Sequence, residues 1–115
     1  MIRRKDDQIT VSKNIREGIG EVQVTELMKS DEFCEKGRLF SKMTVKPGNS
    51  IGKHVHTGDF EAYYILKGEG KYLDNGTEKR VNAGDFTLTK DGEEHELIND
   101  TNEDLEIIAL VLYSK

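Results

Sequence analysis

Residues 48–68 read GNSIGKHVHTGDFEAYYILKG, and the rest of the 115-residue chain is best read outward from them. His54 and His56 stand two apart, the spacing that puts both side chains on one face of an extended strand. Thr57-Gly58-Asp59 is turn-like and lets the chain reverse or kink, so that Glu61 can bring a carboxylate to the same point. Ala62 to Leu66 is a short apolar run that reads as the next strand, stopped at Gly68. His95, the last of the three histidines in the chain, then arrives from a separate strand. Neutral imidazole is the commonest metal ligand, and three of them with one carboxylate suit a single divalent ion. On a six-coordinate ion such a set leaves two positions open, whereas closed structural sites are more often four-coordinate and cysteine-rich.

The remaining chain reads as short strands between tight turns, the pattern of a sandwich or barrel, with helical spacing nowhere sustained. Val22, Val24 and Leu27 mark a first strand; Leu39, Ser41, Met43 and Val45 share one face of a second that Pro47-Gly48 ends. Asn75-Gly76 accepts the positive φ angles of a type I′ turn, which predicts a hairpin between Gly70–Leu73 and Glu78–Val81. Phe86 with Leu88, and His95 to Ile98, give two more strands. Leu105 to Tyr113 is apolar at nearly every position, so both its faces are expected to be covered, the second by another subunit in a chain this small. One domain is expected, a barrel over 21–115, preceded by residues 1–20 as a charged lead or dimerisation arm.

Composition narrows the partners. The chain is 34% charged with net charge −5, so the basic field of a nucleic-acid binder is missing. No apolar run has membrane length and no export signal is recognisable, which together with a lone Cys34 predicts a cytoplasmic protein in a reducing compartment. Cys34 itself reads as a small buried or half-buried hydrophobe.

A His-x-His pair beside an acid is by itself an ordinary surface pattern; the glycines around this one change its meaning. Gly48 precedes His54 by six positions, Gly68 follows Glu61 by seven, and Gly84, Gly92, His95 and Asn99 stand in a second block. Both blocks resemble the two motifs of the cupin superfamily. The first, Gly, five residues, His-x-His, three or four residues, Glu, six residues, Gly, looks like Gly48 to Gly68; the second is similar to Gly84 to Asn99, with Lys90 where the family usually has proline. The resemblance implies an all-β, jelly-roll-like β-barrel (double-stranded β-helix) with one divalent transition metal held inside by His54, His56, Glu61 and His95. Manganese or iron is the first expectation, with Ni, Co, Cu and Zn served by the same ligands. It also implies a homodimer.

Around that centre, Tyr63 shares strand parity with Glu61 and is a candidate to face the cavity, although packing is the plainer duty for a tyrosine. Arg38, Phe40 and Met43, on the strand before the first motif, are candidates for the pocket mouth. Asn99 reads as a brace, and Glu93-Glu94 as solvated loop charge. The expected partner is a small oxygen-donor or anionic molecule. The layout resembles small cupins related to oxalate decarboxylase and germin-type oxalate oxidase, but decarboxylases of that family carry an arginine three residues before the first ligand histidine, where this chain has Ile51. A dioxygenase, isomerase or lyase would use the same ligands, so enzyme, binding or sensing module, and metal-stabilised structural barrel all stay open.

Overall fold

The computed structural model describes residues 1–115. Ten strands follow in chain order: β1 (Thr10–Lys13), β2 (Val22–Glu26), β3 (Gly37–Val45), β4 (Ser50–Val55), β5 (Asp59–Lys67), β6 (Glu69–Asp74), β7 (Thr77–Asn82), β8 (Phe86–Thr89), β9 (Glu94–Ile98) and β10 (Leu105–Tyr113). They pair antiparallel into a six-stranded sheet, β1-β2-β3-β10-β5-β8, and a four-stranded sheet, β4-β9-β6-β7. No helix is long and apolar enough to cross a membrane.

The interior follows from alternation. Val22 and Val24 on β2, Met43 and Val45 on β3, Ile65 on β5 and Ile107 on β10 face Ile51, Tyr72, Val81 and Leu97 of the second sheet in one apolar cluster. On β10 every second residue from Leu105 to Val111 is buried, while Ile108, Leu110 and Leu112, of the opposite parity, are only half-buried on the outer face. The Asn75-Gly76 turn has both residues left-handed, φ 50° and 84°, and joins β6 to β7. That is the twist a two-residue hairpin needs.

Residues 1–20 contribute more than their pattern indicates. β1 pairs with β2 of the same chain, from Thr10 opposite Thr25 to Lys13 opposite Val22, and Ile15 packs against the core. All four β1 residues are exposed, so no in–out alternation marks the strand. Cys34 departs from the sequence expectation: it is exposed, because the chain turns left-handed at Cys34 and Glu35 after a 3-10 turn and carries the thiol outward.

Asn99 ties the second motif block to the first, and Glu93 ties it to the β6–β7 hairpin. Asn99, fully buried, donates from Nδ2 to the carbonyls of Val45 (2.8 Å) and Glu103 (2.7 Å) and accepts at Oδ1 from Thr101 N and Oγ1. Its backbone bonds both ways across the gap, to Gly48 N and Asn49 O. Glu93 is engaged as well, since Lys90 N donates to it at 2.8 Å and Asn75 Nδ2 at 3.1 Å. A proline at 90 would lack the first of these donors.

Candidate metal centre

His54 on β4 lies directly opposite His95 on β9 in the four-stranded sheet, and His56 follows just past the end of β4. Glu61 comes from β5 in the other sheet, on the inward face that Asp59, Tyr63 and Ile65 share. The cluster therefore spans both sheets. Glu61 Oε1 lies 2.9 Å from His95 Nε2, 3.0 Å from His56 Nε2 and 3.4 Å from His54 Nε2. His95 Nε2 is 3.2 Å from His56 Nε2 and 3.0 Å from His54 Nε2. The three rings sit at centroid separations of 4.5, 4.9 and 5.1 Å, each turned edge-on to the others.

The opposite ring nitrogens decide what those Nε2 atoms present. His54 Nδ1 bonds the Gly52 carbonyl at 2.7 Å, which can only accept, so Nδ1 carries the proton. His56 Nδ1 bonds the Asp59 carboxylate at 2.7 Å with the same consequence. His95 Nδ1 meets the Tyr72 hydroxyl at 2.9 Å, and that hydroxyl also meets Thr89 Oγ1 at 3.0 Å, so a proton on Nδ1 has a partner that can accept it and pass its own on to Thr89. These outer partners turn three Nε2 atoms and one carboxylate oxygen toward a single point, an arrangement that suits a cation. The separations fit as well: metal–ligand bonds of about 2.0–2.2 Å put neighbouring donors about 2.9–3.5 Å apart.

Proton affinities report the same competition. Burial opposes charge on His56, yet its bonds to Glu61 and Asp59 outweigh that and raise its pKa. At His95 burial prevails, helped by the other two histidines, and the pKa falls despite Glu61. Burial disfavours the Glu61 carboxylate, but three imidazole contacts more than reverse the effect and hold it far below the ordinary range. Asp59 is likewise lowered, its burial overcome by bonds to His56 and Arg38. Protons and a metal ion would contend for the same nitrogens.

A cavity of about 240 Å³ opens onto His54, His56 and Glu61, while His95 does not line it. Residues 41–112 match the family model of the cupin domain. The chain belongs to the cupin family. It is 44% identical over 99 residues to a Thermotoga maritima protein described as an oxalate-binding protein, covering 86% of this chain and 82% of that one. A crystal structure of a predicted oxalate decarboxylase from Thermotoga maritima superposes with a TM-score of 0.93 at 39% identity, over 98% of this chain and 99% of that one. The cupin domain of Schizosaccharomyces pombe Cnp3 shares the fold alone, with a TM-score of 0.72 at 12% identity over 93% and 88% of the two chains.

Within this cupin, Tyr63, Arg38 and Met43 line the cavity. Tyr63 is buried with its ring stacked on His95, centroids 4.9 Å apart, and burial followed by the Glu61 charge raises its hydroxyl pKa well above normal. Phe40, a candidate for the mouth, does not line it: its parity is opposite to Leu39, Ser41 and Met43, and it sits across from Leu110 on the outer face. Arg38 shares the outward parity but escapes it. The register passes from Val111 opposite Leu39 to Leu112 opposite Gly37, leaving Arg38 in a bulge that aims its guanidinium at Asp59, 2.9 Å away. Sequence reading missed Asp59, Tyr72 and Thr89, although Asp59 carries a signal in its shared parity with Glu61. It also missed the wall formed by residues 13–16.

Proposed function

We propose that this cupin holds one divalent transition metal, manganese or iron(II), through His54, His56, Glu61 and His95, and binds a small dicarboxylate of the oxalate class where the cluster faces the cavity. The observation that carries the reading is the convergence of three Nε2 atoms and the Glu61 carboxylate beside a small cavity that is also bordered by cationic side chains. The 44% identity to a protein described as oxalate-binding supports the same ligand class. Bound there, a divalent ion supplies Lewis acidity and an anchor for carboxylate oxygens. The protein's own groups orient the imidazoles and set the charge of the wall.

Binding without turnover is favoured over catalysis by the cavity lining. Apart from the three cluster residues that line it, its titratable groups are Lys13, Arg16, Arg38 and Tyr63, and burial keeps Tyr63 protonated. No uncommitted carboxylate or imidazole is placed to move a proton, and Ile51 contributes an apolar surface. The test is elemental analysis of protein purified without chelator, followed by calorimetric titration of the metal-loaded form with oxalate and product analysis of the same mixture. Stoichiometric metal and saturable binding with oxalate recovered intact is the expected result. A chain that takes up no metal under any reconstitution would sink the reading, and consumption of oxalate would make it an enzyme.

We also assign the outer face of the six-stranded sheet to a homodimer. Tyr64, Leu66, Phe86 and Leu88 are exposed there beside half-buried Ile108 and Leu110, a contiguous apolar surface of the kind that marks a subunit contact. Sedimentation as a monomer at micromolar concentration would remove the assignment.

A further inference from the structure

Three cations border the cavity and one is already committed. Arg38 pairs with Asp59, whereas Lys13 and Arg16 take part in none of the chain's ion pairs. Arg16 arrives by a strained route. Arg16 and Glu17 are both left-handed, φ 55° and 59°, a conformation that non-glycine residues adopt rarely and keep only where the surroundings hold it. Here the hold is explicit. The Ile15 carbonyl accepts from the amides of Gly18 and Gly52, each at 3.0 Å, and Asn14 Nδ2 donates to the carbonyls of Gly18 (2.8 Å) and Gly20 (2.9 Å). Gly52 is the docking point on β4, since any Cβ there would collide with the Arg16 carbonyl oxygen. The carbonyl of that same Gly52 fixes the proton on His54 Nδ1, so the turn is anchored two residues from the cluster. Arg16 is exposed and lines the same cavity as His54, His56 and Glu61.

We propose that Arg16, presented by the turn over residues 14–18, is the specificity-determining residue of this site: its guanidinium pairs with the carboxylate oxygens of a dianion whose other oxygens face the histidine–glutamate cluster. This rests on the small-anion reading of the site and sharpens it. Guanidinium offers a planar fork of donors that matches a carboxylate, and an arginine not neutralised by a protein acid keeps its charge for the ligand. The neighbouring wall, from Leu39, Met43, Ile51 and Val111, is apolar and strengthens that attraction. A dianion satisfies both the cluster and Arg16, while a monoanion of similar size leaves one of them unpaired, so the pair of charges discriminates between them.

The experiment uses the full chain loaded with Mn²⁺, titrated by calorimetry with oxalate and, separately, with glycolate, for wild type, Arg16→Asn and Arg16→Lys. Asparagine tolerates the left-handed backbone, so it removes the charge and spares the turn. Arg16→Asn is expected to keep its full metal content by elemental analysis, to lose about tenfold or more in oxalate affinity, and to narrow the oxalate-to-glycolate ratio. Arg16→Lys recovers part of both. Wild-type oxalate affinity in metal-loaded Arg16→Asn overturns the role of Arg16 and leaves the small-anion reading standing. A loaded wild type that binds neither anion sinks that reading, and this one with it. Loss of metal from both variants would make Arg16 a scaffold residue of the turn and likewise overturn the proposal.

Discussion

The two ends of the barrel interior both bury their side chains and are chemically opposite. Val22, Val45, Ile65, Leu97, Leu105 and Ile107 are fully sealed at one end, and at the other His56 and His95 retain only 1% exposure and Glu61 5%. β5 runs from one to the other on a single face, Asp59, Glu61, Tyr63, Ile65. Burial therefore does not distinguish structural from functional positions in this chain. What differs is the source of stability. Apolar side chains gain free energy from leaving water whatever the solution contains, whereas buried ionisable groups are held by compensation among themselves and by whatever cation they share.

The contrast can be broken from either end. Ile107→Ala should cost about 2–5 kcal/mol in chemical denaturation, the range for a large-to-small change in a packed core, and should leave the metal content of folded protein unchanged. Metal loss in that variant would erase the distinction between the ends. Chelation should lower the stability of the loaded protein by about 2.7 kcal/mol where free metal had stood at a hundred times its dissociation constant. Wild type and Ile107→Ala should lose alike, and His54→Ala should lose nothing.

A smaller effect sharpens the role of the outer partners. Asp59→Asn removes the charge behind His56 Nδ1 and should weaken metal binding about 10–100-fold without displacing a ligand, measured by competition with a chromogenic chelator. Unchanged affinity would reduce Asp59 to a partner of Arg38. The smallest effect is in pH. In the metal-free protein Glu61 and Asp59 are both lowered in the folded state, so their stabilisation is present above the ordinary carboxylate values of 4.5 and 3.8 and is lost as pH falls below them. Denaturation midpoints should fall with acidification below about pH 4.5, by at most about 1.4 kcal/mol per pH unit for each group. Glu61→Gln should flatten that slope, and Ile107→Ala should shift the curve without changing its shape.

How much was legible depended on how local each cause was. The strands with alternating burial, β2, β3 and β5, could be read because alternation needs only neighbours along the chain. β1 could not, having no buried face. Phe40 was misplaced although Leu39, Ser41, Met43 and Val45 already defined the inward parity, so that error was correctable without a structure. Arg38 was not correctable in the same way, because a bulge is a mismatch in length between two strands and shows only when both are present.

By itself the sequence determined the strand pattern, the Asn75-Gly76 hairpin and the shared face of His54 and His56, because strand periodicity and left-handed turns are set within a few residues of backbone, while the resemblance of its two glycine-framed blocks to the cupin motifs pointed to the barrel and to all four residues that cluster. Tertiary structure alone decided which imidazole nitrogens face the centre, through Gly52, Asp59 and Tyr72, and that Arg16 stands at the cavity's edge. Those outcomes depend on groups up to dozens of positions apart being brought within hydrogen-bond reach, and no periodicity along the chain encodes that.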